Sequence, residues 1–160
     1  DLNQIAVLRG FDTLEALYAE RERGLRSADP FGSAEFTTAL EWHSYKGFDW
    51  LPAPTPGSYG AVYEIRTYDF KTGGLPHTLE KWQQALPARQ EVSPCLVAMY
   101  ALDGRPRFTQ IWPYASLNER SAARADAVKQ GIWPPKGGPD WLTPAMHSQV
   151  FVPTDVSPLK

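Results

Sequence analysis

The feature that most constrains this chain is a likeness between its opening and its own end. Gln4-Ile5-Ala6-Val7-Leu8-Arg9-Gly10-Phe11-Asp12-Thr13-Leu14-Glu15 aligns at a constant offset with Arg107-Phe108-Thr109-Gln110-Ile111-Trp112-Pro113-Tyr114-Ala115-Ser116-Leu117-Asn118. The alignment pairs Leu8 with Ile111, Phe11 with Tyr114, Thr13 with Ser116 and Leu14 with Leu117. A charged helical pattern follows in both places, and His43-Ser44 later matches His147-Ser148. Self-similarity at a long period points to duplicated supersecondary units. The expectation is an incomplete first repeat over 1–57 and a complete one over 58–160. Residues 58–106 have no upstream counterpart, and the chain starts at Asp1 without methionine, so it reads as a fragment or a processed product.

The complete repeat spells out its elements. Ala61 to Tyr68 alternates and is rich in β-branched and aromatic residues, which predicts a strand. Lys71-Thr72-Gly73-Gly74 is a turn. Leu75, Leu79, Trp82 and Leu86 then recur at helical spacing, with Pro76 in the first turn and Pro87 near the end. Pro94 introduces a second strand, Cys95 to Leu102, and Asp103-Gly104-Arg105-Pro106 turns the chain into a third, Phe108 to Tyr114. Ser116 and Glu119 form a capping box that opens a helix reaching about Gln130, before Gly131. A stiff Trp133–Trp141 loop leads to a fourth strand, Met146 to Val152. This order, β-α-β-β-α-β, is that of an α+β, ferredoxin-like unit. In the first repeat, strands at 4–11 and 39–45 and a helix at 13–27 are expected, with 51–57 as linker.

These residues carry a resemblance. Tyr63-Glu64-Ile65-Arg66-Thr67-Tyr68, then Gly73-Gly74 and an amphipathic helix, then Trp112-Pro113-Tyr114-Ala115-Ser116-Leu117, resemble the NIPSNAP family pattern over about 58–153. Gln110 stands where that pattern often has His. The resemblance implies ferredoxin-like units that close into a dimeric α/β barrel, and it implies no common reaction.

Strand parity then selects candidate residues, because alternate side chains leave a sheet on opposite faces. Tyr63, Ile65 and Thr67 are assigned to the helix side. Glu64, Arg66 and Tyr68, with Gln110, Trp112 and Tyr114, are assigned to the barrel interior as a ligand-binding wall. Arg66 is the anion-binding candidate, since a guanidinium suits bidentate recognition of carboxylates and Glu64 could orient it. The functional reading is a small-molecule pocket; the structural alternative is that Glu64 and Arg66 simply pair while the aromatics fill space. His147 and His43, in matching places, are the proton-transfer candidates should the barrel be an enzyme, cofactor-independent or haem-using. The Trp133–Trp141 loop is expected to be a lid.

Composition narrows the rest. Forty-two per cent hydrophobic residues, with six Trp, seven Tyr and seven Phe, suffice for a core. A net charge of −2 with interspersed signs favours neither nucleic acid nor membrane surface, and no apolar run approaches the roughly 20 residues of a spanning helix. One cysteine excludes an internal disulfide and suits a reducing compartment such as the cytoplasm. The histidines lack metal-ligand spacing, and no Gly-x-Ser-x-Gly, P-loop or Gly-x-Gly-x-x-Gly motif occurs. No cofactor or metal is expected. The expected partners are a second copy of the chain, as homodimer or higher oligomer, and a small molecule.

Overall fold

A computed structural model describes residues 3–160. The chain divides into two compact units, one ending at Ser44 and the other spanning Tyr45–Lys160.

The smaller unit is built on α1 (Leu14–Arg26). Thr13 caps it by accepting from Ala16 N at 3.2 Å, Glu15 sits in the first turn, and Arg23 and Arg26 sit in the last, as the helix dipole favours. The expected helix is therefore present. The strands expected at 4–11 and 39–45 are not: residues 4–11 form no strand, and Ile5 and Val7 are exposed. An alternating pattern becomes a strand only when a neighbour completes its ladder. None of the described residues pairs with 4–11 in that way.

The larger unit carries β1 (Tyr45–Gly47), β2 (Val62–Phe70), α2 (Gly74–Val92), β3 (Val97–Ala101), β4 (Arg107–Tyr114), α3 (Leu117–Lys129) and β5 (Leu142–Phe151). Its five-stranded sheet is antiparallel throughout and ordered β1-β3-β4-β2-β5. Removing β1 leaves the ferredoxin-like order read from the sequence. The additional strand, β1, overlaps the expected 39–45 strand at Tyr45 alone, and it pairs with β3 through Tyr45–Ala101. Two boundaries also moved. α2 continues through Pro87 to Val92, and β5 starts four residues before Met146.

The helices lie on one face of this sheet. Thr78, Trp82, Leu86 and Arg89 form the buried stripe of α2, at helical spacing. Trp82 meets Phe108 edge-on at 5.2 Å and Trp112 at 6.3 Å, and Phe70 stacks on Phe108 at 5.2 Å. The face assignment made from parity is thus inverted. Glu64, Arg66, Tyr68, Gln110, Trp112 and Tyr114 do share a face, but it is the one the helices cover. The β2–β4 register decides the matter, since Glu64 lies opposite Trp112 and Tyr68 opposite Phe108, so the acidic residue travels with the aromatic row. That row buries the most apolar area, and apolar area is what attracts helices. Tyr63, Ile65, Leu96, Val97, Met99 and Ile111 form a second cluster on the other face, packed by Tyr45, Tyr59 and Leu159. Leu159 is held there by a parallel bridge to Gly57, with Gly57 N donating to Pro158 O at 3.0 Å and Lys160 N to Gly57 O at 2.9 Å.

Candidate functional site

The candidate site forms where β2, β4 and β5 meet α2 and α3. Glu64 is fully buried, with 0% exposure. A lone carboxylate there would be costly, and three guanidiniums meet it. Arg66 Nη1 donates to Glu64 Oε1 at 2.6 Å and Arg120 Nη2 at 2.5 Å, while Arg124 Nη1 lies 3.8 Å from Oε2. Ser148 Oγ adds a donor to Oε1 at 2.7 Å. Burial alone would raise the carboxyl's pKa; the bonds from Arg120 and Ser148 and the charge of Arg66 outweigh it and hold it down to about 2. Glu64 is therefore ionised at neutral pH.

Each guanidinium nitrogen of Arg66 makes a hydrogen bond. Its Nε donates to the Tyr68 hydroxyl at 2.6 Å, its Nη2 donates to the same oxygen, and its Cζ stands 5.2 Å from the Tyr68 ring centre. Beyond it, Trp112 Nε1 donates to Gln110 Oε1 at 2.8 Å, and Trp112 packs on Trp133 at 5.7 Å. Arg89 lies 4.6 Å over the Trp112 ring. The buried polar atoms in this layer that make no hydrogen bond include Glu64 Oε2, Arg89 Nε, Gln110 Nε2 and Arg120 Nε. Such groups carry a free-energy penalty unless something supplies their partners.

The six candidate wall residues are thus in one layer, between sheet and helices. His147 is elsewhere. It pairs across the ladder with Thr67, whereas Ser148 pairs with Arg66, so His147 projects from the opposite face. His43 lies in the smaller unit, outside any strand, with Nε2 3.5 Å from Glu41 Oε2. The matched histidines are not an equivalent pair of strand residues. The Trp133–Trp141 loop packs at both ends: Trp133 on Trp82 at 4.8 Å, and Trp141 Nε1 donating to Thr78 Oγ1 at 2.9 Å.

Sequence reasoning missed Arg89, Arg120, Arg124 and Ser148. The signals were there for three of them. Arg89 continues the buried Trp82-Leu86 stripe of α2, and Arg120 and Arg124 flank Ala123 and Ala127 on the inward side of α3. A cation on the apolar face of a helix needs a buried partner, and Glu64 was the one on offer. Ser148 carries no such signal beyond its place next to His147. Among the described residues no group of three or more His, Cys, Asp or Glu could hold a metal ion, and no helix is long and apolar enough to cross a membrane. An open depression of about 450 Å³ on α1, lined by Ala19, Glu22, Arg23, Arg26 and Ser27, includes none of the candidate residues.

Comparison with known proteins matches these features to one family. The NIPSNAP family model matches residues 63–158, which include β2 from Tyr63 on, both sheet-packed helices and the whole cluster around Glu64. A crystal structure of an Agrobacterium tumefaciens protein superposes with a TM-score of 0.56 at 24% identity, covering 62% of this chain and 99% of that one. A second A. tumefaciens structure, of a NIPSNAP family protein, gives a TM-score of 0.56 at 21% identity, covering 62% and 98%. A NIPSNAP domain protein from Burkholderia xenovorans gives 0.54 at 20% identity, covering 60% and 97%. At these identities the likeness is one of fold. No functionally curated protein matches the chain.

Proposed function

The chain belongs to the NIPSNAP family, and from that premise we propose that it binds a small polar molecule in the layer between the sheet and helices α2 and α3. The carrying observation is unspent hydrogen-bonding capacity of both signs in one buried layer, the acceptor Glu64 Oε2 and the donors Gln110 Nε2 and Arg120 Nε. Folding that needed only a structural ion pair would gain by satisfying these atoms or replacing them with apolar ones. In this reading Glu64 holds the arginines in place, Tyr68, Trp112 and Tyr114 form the wall, and Arg66 sets the charge at the rim. Native mass spectrometry of protein purified without added ligand tests it. Wild type should retain a small molecule, and both Arg66→Met and Gln110→Leu should lose it while circular dichroism stays native. Retention by both variants, or no retained molecule in the wild type, overturns the reading.

We further propose that the chain assembles as a homodimer or higher oligomer, with a second sheet closing a barrel. Support comes from β5, a ten-residue edge strand whose Met146 and Val150 are about half exposed. Long unprotected edges are usually paired or covered. Static light scattering at micromolar concentration should give at least twice the 17.9 kDa chain mass, and a monomeric mass rejects assembly. The single cysteine, Cys95, is free and buried, which suits a cytoplasmic protein.

A further inference from the structure

The cluster around Glu64 does not account for Arg89. Arg89 is only 2% exposed, and among the described residues no carboxylate pairs with it. Its Nη1 donates to Ser93 O at 3.1 Å, and its Nε has no hydrogen-bond partner. The acidic groups that act on it are the Tyr114 hydroxyl, which is hydrogen-bonded to it, and the Cys95 thiol. Both are neutral at pH 7: burial pushes the Tyr114 hydroxyl up and the Cys95 thiol up to about 12. Arg124 adds a like charge. The layer therefore holds four guanidiniums, on Arg66, Arg89, Arg120 and Arg124, around one carboxylate. The C-terminal carbonyls of α2 offer Arg89 at most a fraction of a charge. Buried charges are as a rule paired.

We propose that Arg89 is the seat for the carboxylate group of a small organic acid, with Arg89 Nε and the Tyr114 hydroxyl as its donors. The inference rests on the small-molecule reading above and names its ligand class. It also moves the charge-receiving role away from Arg66, whose Nε, Nη1 and Nη2 are already taken by Tyr68 and Glu64. The Trp112 ring under Arg89 occupies the guanidinium face, and a planar carboxylate addresses its edge. Gln110 Nε2 is a further unspent donor in the same layer.

Differential scanning calorimetry at pH 7, after exhaustive dialysis, provides the test. The probes are sodium acetate, butyrate and hexanoate, each matched in ionic strength by sodium chloride. At ten times the dissociation constant, a carboxylate that binds only the folded state should raise Tm by about 3–5 °C over the chloride control. The rise should vanish in Arg89→Met. Arg89→Lys, which keeps the charge but loses the planar fork, should shrink it and covers the case in which Arg89→Met fails to fold. No rise with any of the three acids, or an undiminished rise in Arg89→Lys, overturns the proposal. The two readings separate cleanly. Should a co-purifying molecule be lost from Arg66→Met and Gln110→Leu yet kept by Arg89→Lys and Arg89→Met, the binding layer stands and the Arg89 seat falls.

Discussion

Glu64 is where the chemistry of this fold concentrates, since one buried carboxylate answers three arginines and a serine. Its folded pKa of about 2 lies below the ordinary 4.5, so it contributes stability that is fully present above pH 4.5 and is lost as pH falls toward 2. The difference amounts to something on the order of 3 kcal/mol. Urea unfolding followed from pH 7 to pH 2.5 should show this loss, and Glu64→Gln should flatten it. At pH 7 the same substitution leaves the arginines without their counter-charge and should cost about 3–5 kcal/mol. A variant that matched wild type at both ends of the range would show that Glu64 is not the acid-labile group. Part of this was legible from β2 alone, because Glu64 and Arg66 two residues apart on a strand must share a face. Their remaining partners were not, because Arg120 and Arg124 arrive from a helix more than fifty positions away and only a tertiary contact joins them.

Among the elements, α3 carries the clearest sequence signature and also delivers Arg120 and Arg124 to the sheet. Its cap is close to the one read from the sequence. Ser116 Oγ accepts from Glu119 N at 3.1 Å, while Glu119 Oε2 reaches back to Ala115 N at 2.6 Å, one residue before the cap. Ser116→Ala should cost about 1 kcal/mol. Since Arg120 N also bonds to Ser116 O, the loosened first turn should lower retention of any bound molecule as well. Urea titration with native mass spectrometry on one preparation checks both effects, and an unchanged midpoint would show that the cap is redundant. Elements such as α3, α1 and β2 were readable because periodicity and capping are local. Residues 4–11 misled because Ile5-Ala6-Val7-Leu8 has the composition of a strand, while strandhood depends on a neighbouring ladder that no local pattern encodes.

At the scale of the whole molecule, the ferredoxin-like order was legible, and the side on which the helices settle was not. Parity divides a strand into two faces without saying which is covered; here the register of Glu64 with Trp112 and of Tyr68 with Phe108 settles it. The other face has its own cover in Tyr59 and Leu159, fastened by the Gly57–Leu159 bridge. That bridge joins positions about a hundred residues apart, so the chain must close a very long loop to make it. Contacts of such separation are rewarded only once the sheet beneath them exists, which places the bridge after the folding transition state. A chain shortened after Val152 should then fold at the wild-type rate and unfold faster, so that stopped-flow chevrons share a folding limb and diverge in the unfolding limb. A slowed folding limb would put the last residues in the nucleus instead. The segment that reaches the sheet last would thus act as a latch on the exit, setting how long the folded chain survives rather than how quickly it is made.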